Sequence, residues 1–228
     1  MGQSLGGIVG ASMAAYAPSG IQTFVFNATG GGLIDIIENS VPELSVPLWV
    51  GLAASGGCTF VDPENPALGC EDTPDFRRFK QIATWVMEPG DPLANAIGVV
   101  GEAYPGRPAV GLRGGEIADP FPILMQVAWP DLVISSTTGV ALATGYGIEN
   151  TANLDVYDFT YLGETATTGE GCHGWFLAPI CGACVADAMC KTFSAQIQAA
   201  QFMATQGAAV IGHEDIPVPN LNCDNPCP

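Results

Sequence analysis

Gly2-Gln3-Ser4-Leu5-Gly6, followed at once by a run of small apolar residues, constrains this chain more than any other feature. The pattern G-x-S-x-G suits a serine on a sharp strand-to-helix turn, where flanking glycines tolerate a strained backbone and close packing. A turn of that kind presents the serine hydroxyl. Residues 5–16 supply the helix that should follow, and Gly6, Gly7, Gly10, Ala11, Ala14 and Ala15 let it lie close against a sheet. Three glycines give it poor intrinsic propensity, so tertiary packing must hold it. A strand should precede the serine, but only Met1 stands before Gly2 and none is expected there.

Further along, Ile21 to Phe26 reads as a buried strand, ended by the turn Gly30-Gly31-Gly32. Regularity then falls. Residues 33–119 contain a short helix at Leu33–Glu38, a loop between Cys58 and Cys70, and a helical stretch around Phe76–Met87. This segment is expected to be a loop-rich cap inserted into a core made of residues 1–32 and 120–212. Regular α/β texture returns with a strand at 122–128, a helix from Ser136 to Thr144 and a strand from Leu154 to Leu162. Thr192 to Thr205 is the best helix, closed by Gly207. Residues 213–228 form a Cys/Pro-rich tail.

Composition removes whole classes of function. Hydrophobic residues make up 48% and charged residues 13%, which excludes a disordered acidic tail and a coiled coil. Twenty-three acids against six bases leave a net charge of −17, a field that effectively rules out nucleic-acid binding and, with it, attraction to an anionic membrane surface. No segment has the roughly 18 uninterrupted apolar residues of a membrane span.

Eight cysteines fall in three clusters, Cys58 and Cys70; Cys172, Cys181, Cys184 and Cys190; Cys223 and Cys227. An even, locally grouped set among Gly, Pro and Asp suits a disulfide framework formed in an oxidising compartment. The central four include a C-x-x-C, so structural zinc and a redox pair are the alternatives. The chain begins without the basic run of a signal peptide. An exported protein would carry such a signal, so the expectation is that the native amino terminus lies upstream of Met1.

A serine activated for attack needs a base to take its proton and an acid to orient that base, in the chain order Ser, Asp or Glu, His. Asp131 follows the apolar strand ending at Ala128, where a strand's carboxyl end would hold a loop carboxylate. Asp155 and Asp158 are alternatives, but both fall inside an expected strand. His173 lies in Gly171-Cys172-His173-Gly174-Trp175-Phe176, and the rival is His213, in Gly212-His213-Glu214.

Five stretches together resemble an α/β-hydrolase: the residues around Ser4, Thr23 to Gly32, Pro89-Gly90-Asp91-Pro92, Pro122 to Val127, and His173-Gly174-Trp175-Phe176-Leu177. The likeness is to bacterial secreted or surface lipases and esterases, and to the carboxyl-terminal half of their fold. It implies an α/β class with a partial hydrolase sheet, strands six to eight with flanking helices, and a cap. Under it Ser4 matches the nucleophile, Asp131 the acid after strand seven and His173 the base after strand eight. The Leu5 N–H matches one oxyanion donor. The pattern departs at the acid, where Pro130 stands in place of the usual glycine. The expectation is a secreted or cell-surface ester hydrolase acting on small-molecule or lipid esters without cofactor or metal, present here as a piece lacking its amino-terminal half. A non-catalytic, disulfide-stapled extracellular module of hydrolase ancestry is the alternative.

Overall fold

Short runs rich in β-branched and aromatic residues become the strands of one parallel sheet in the computed structural model, which describes residues 1–17, 20–59, 67, 69–71, 73–100, 122–159, 172–177 and 185–218. The strands are β1 (Gly2–Gln3), β2 (Phe24–Asn27), β3 (Ile123–Trp129) and β4 (Leu154–Asp158), in the order β1-β2-β3-β4. Every neighbouring pair is parallel, with Gln3 beside Asn27, Phe24 beside Ile123, and Met125 beside Leu154. Sequence patterning anticipates three of these strands. The fourth, β1, corrects the expectation that no strand precedes Ser4: two residues suffice because β2 supplies the ladder.

The helices are α1 (Leu5–Ala14), α2 (Leu33–Glu38), α3 (Pro42–Ala54), α4 (Pro74–Met87), α5 (Pro92–Val100), α6 (Ser136–Gly145) and α7 (Val185–Ala204). A parallel sheet must be covered on both faces, so its strands read as continuous apolar runs. All four residues of β2 and the first six of β3 are buried. Alternation still sorts them. Phe24, Phe26, Ile123 and Met125 pack with Ala11, Ala14, Ala96, Val99 and Leu142 from α1, α5 and α6, and with Tyr146 just past the end of α6. Val25, Leu124 and Ala128 face the other way, onto Trp175, Ala195, Ala199 and Phe202.

Of the stretch expected as a cap, α5 therefore joins the sheet's own core. Helices α3 and α4 instead gather Trp49, Leu52, Cys70 and Phe76 into a small separate core, and the Cys58–Cys70 disulfide closes the loop between them. Helix α3 carries Pro47 in its interior, which costs a backbone hydrogen bond and hides the helix from a propensity reading. Helix α7 starts seven residues before the expected Thr192, at Val185. The expected strand continuation to Leu162 runs from residue 160 onward outside the described residues, as do Cys181, Cys184, Cys223 and Cys227.

Candidate active site

Parallel strands place all their carboxyl ends on one side of the sheet, and loops leaving those ends meet there. Ser4 leaves β1, Asp131 leaves β3, and His173 comes from the segment after β4. The three side chains form one hydrogen-bonded line. Ser4 Oγ lies 2.6 Å from His173 Nε2, and His173 Nδ1 lies 2.8 Å and 3.1 Å from the two carboxylate oxygens of Asp131. A carboxylate only accepts, so the imidazole carries its proton on Nδ1 and leaves Nε2 bare for the Ser4 hydroxyl. A hydroxyl held this way can pass its proton to Nε2 as its oxygen attacks an electrophile.

The backbone of Ser4 is what aims it. Its φ of 52° and ψ of −127° lie in a region non-glycine residues rarely enter, at a cost of about 1–3 kcal/mol. Ser4 N–H donates to Asn27 O at 3.0 Å, and Ser4 O accepts from Ile8 N–H at 3.0 Å, which locks the turn between sheet and helix. The glycines around it are not equivalent. A Cβ on Gly2 would meet the backbone oxygen of Gly6 at 2.5 Å, and one on Gly7 would meet the Thr29 side chain at 2.7 Å. A Cβ on Gly6 meets nothing within 4 Å. Gly2→Ala is thus expected to shift the serine and lower turnover on the order of 10²-fold. Gly6→Ala should stay near the unaltered rate, and side-by-side kinetics of the two check the contrast. Leu5 opens α1, so its amide is one of those a helix leaves without an intrahelical partner.

Asp131 is buried, with its carboxylate held by more than the histidine. Oδ1 also accepts from Val133 N–H and Ile134 N–H, each at 3.0 Å. Ser136 fixes the backbone beneath: it accepts from Asp131 N–H at 2.9 Å and donates to Ala128 O at 2.8 Å. Sequence reasoning missed Ser136. Its only signal is a hydroxyl five residues after the acid, at the first position of a helix.

His173 is carried by a turn at Cys172–Leu177 that is anchored on three sides. Trp175 packs on Tyr157 with ring centroids 4.3 Å apart, Thr192 donates to Trp175 O at 2.6 Å, and Gln196 donates to Phe176 O at 2.8 Å. Cys172, next to the histidine, is disulfide-bonded, as is Cys190 on α7. Gln3, the variable residue before the serine, reaches across to donate to His173 O at 3.4 Å.

The rival residues lie elsewhere. His213 and Asp155 form a second pair, Nδ1 to Oδ1 at 2.5 Å, and Asp155 Oδ2 accepts from His213 N–H at 3.1 Å. Gln198 donates to the same Oδ2 and accepts from Gln126 and from the Tyr157 hydroxyl, so this pair ends a buried polar network running under the sheet to Asn27. His213 has no serine hydroxyl among its described partners. Asp158 sits at the end of β4, where its backbone oxygen accepts from Lys191. Among the described residues no group of three or more His, Cys, Asp or Glu is placed to hold a metal ion, and no helix is long and apolar enough to cross a membrane.

No protein-family model matches the chain, and no curated protein or solved structure does.

Proposed function

We propose that the chain is a serine ester hydrolase acting on hydrophobic carboxylic esters through an acyl-enzyme. The observation that carries the reading is the line Ser4–His173–Asp131, set on a strained strand-to-helix turn. In this mechanism Ser4 Oγ attacks the ester carbonyl carbon while His173 Nε2 takes the hydroxyl proton. Asp131 holds the imidazole in the required tautomer and stabilises the imidazolium as it forms. The tetrahedral oxyanion is met by the Leu5 N–H. Collapse breaks the ester C–O bond, and the imidazolium gives its proton to the departing alkoxide. Water, deprotonated by the same histidine, then attacks the acyl carbon; the bond to Ser4 Oγ breaks, the imidazolium returns its proton to that oxygen, and the acid leaves.

The reading brings with it kinship to the α/β-hydrolases, on a sheet of which four parallel strands are described here, and a setting outside the cytoplasm. Disulfides at Cys58–Cys70 and at Cys172 and Cys190 favour that setting. The purified chain should hydrolyse p-nitrophenyl butyrate with a burst of p-nitrophenol when the acylation step is the faster one. Release no faster than in buffer, from chain shown by circular dichroism to be folded, would contradict the proposal.

A further inference from the structure

A parallel sheet covered on both faces calls for apolar side chains at its inward positions. One row breaks that rule. Gln3, Asn27, Gln126 and Asp155 lie in register, one from each strand from β1 to β4. Val25, Leu124 and Tyr157, two positions away along β2, β3 and β4, pack with Ala195, Ala199 and Phe202 of α7. Side chains two apart on a strand share a face, so the polar row crosses all four strands on the α7 side. Asn27, Gln126 and Asp155 are buried, and Gln3 is half-buried at the edge.

Three members of the row are bonded to one another or to α7. Asn27 Nδ2 donates to Gln126 Oε1 at 3.3 Å, and Gln126 Nε2 donates to Gln198 Oε1 at 2.7 Å and to Ala195 O at 2.9 Å. Gln198 Nε2 donates in turn to Asp155, which holds His213. Gln3 turns the other way. No side-chain hydrogen bond joins it to Asn27, and both Gln3 Oε1 and Asn27 Oδ1 are buried with no hydrogen-bond partner. The one side-chain bond that Gln3 makes among the described residues runs from Nε2 to His173 O, at 3.4 Å.

For the fold alone, glutamine is a poor choice at position 3. A buried acceptor without a donor costs its full desolvation, which an apolar side chain of the same length would avoid. Conflicts of this kind are expected where a site's geometry needs them. Gln3 stands one residue before the nucleophile, and its bond ties the strand carrying Ser4 to the turn carrying the imidazole. Trp175, Thr192 and Gln196 anchor the later part of that turn to β4 and α7. Among the described residues no side chain other than Gln3 bonds the backbone of His173 itself.

We infer that Gln3 is a positioning residue for the Ser4–His173 pair: its amide holds the His173 carbonyl so that Nε2 stays 2.6 Å from Ser4 Oγ. Its effect on turnover rests on the ester-hydrolase reading; its effect on the ring does not. Gln3→Met keeps the length of the side chain and removes both the donor and the unpaired acceptor. It should lower kcat and kcat/KM together by about 10-fold, because a displaced base is felt in the transition state and not in ester binding. Its Tm should stand at or above that of the unaltered chain, where a merely structural bond would lower it on removal. Gln3→Asn keeps the amide but is one methylene too short for a carbonyl already 3.4 Å away, and should lose kcat in step with Gln3→Met.

Proton NMR reads the ring without any substrate. The Nδ1–H of His173, held by Asp131, and that of His213, held by Asp155, should each give a downfield resonance. Loss of one signal in His173→Ala and of the other in His213→Ala assigns them. Gln3→Met should speed solvent exchange at His173 and broaden its signal, while the His213 signal stays as it was and shows that the variant folds. An unbroadened His173 signal in Gln3→Met overturns the inference, and so does an unchanged kcat in a chain that hydrolyses p-nitrophenyl butyrate. Broadening at His173 in a chain that hydrolyses no ester would leave Gln3 as the support of that ring and remove the catalytic reading instead.

Discussion

Ser4→Ala is expected to reduce ester hydrolysis on the order of 10⁶-fold in kcat, to the level of general binding effects. The size follows from the geometry. Nothing else stands 2.6 Å from His173 Nε2 as a nucleophile in the described site, so removing one oxygen removes the covalent route rather than slowing it. The fold should not suffer. Alanine relieves no packing, and it inherits the same φ of 52°, so the strain at the turn is unchanged. Steady-state kinetics with p-nitrophenyl butyrate, read beside thermal unfolding, measures both. Activity within tenfold of the unaltered chain would place the nucleophile elsewhere.

Asp131→Asn carries the second large effect, about 10⁴-fold in kcat, or ~5.5 kcal/mol of transition-state stabilisation. The asparagine can still accept from Val133 N–H and Ile134 N–H, so the loop keeps its shape. Its amide N–H₂, however, can point at His173 Nδ1 as a donor. The ring is then pushed to the tautomer with its proton on Nε2, facing the serine with the wrong polarity. Asp155→Asn is the internal control. Asp155 also pairs with a histidine, but it closes a polar network among Gln198, Gln126 and the tail at His213, remote in its bonding from Ser4. That change should cost about 1–3 kcal/mol of stability, seen as a lower Tm, and leave kcat within a fewfold. Equal losses of activity at the two positions would mean that the Asp131 pair is no more than structural.

What could be read from the sequence divides along the range of the signals involved. The serine turn is a short-range pattern: five residues specify a backbone and a hydroxyl, and the structure places Ser4 at positive φ between β1 and α1. Asp131 and His173 could be named because each follows a strand that patterning could find, and parallel strands deliver such loops to one place. Strand β1 could not be found, since two residues show no alternation. Helices α3 and α5 were hidden for opposite reasons: Pro47 contradicts the first locally, and only packing against α1 and α6 explains the second. Long-range polar partners were out of reach altogether. Ser136 under Asp131, Gln3 against His173, and the Gln126–Gln198–Asp155–His213 network pair residues from 5 to 170 positions apart, and none has a periodic signature. Even the motif is partly misleading. Gly6 completes G-x-S-x-G by eye, yet space is tight at Gly2 and Gly7.

The central claim is that the Ser4 hydroxyl is activated by His173. A fluorophosphonate probe tests it directly, because phosphonylation forms a bond only to an activated serine oxygen, with loss of fluoride. The folded chain should take up one probe per molecule, and mass mapping should place the adduct on Ser4. Labelling should disappear in Ser4→Ala and collapse in His173→Ala. A folded chain that takes no probe, or carries it on another serine, would contradict the account.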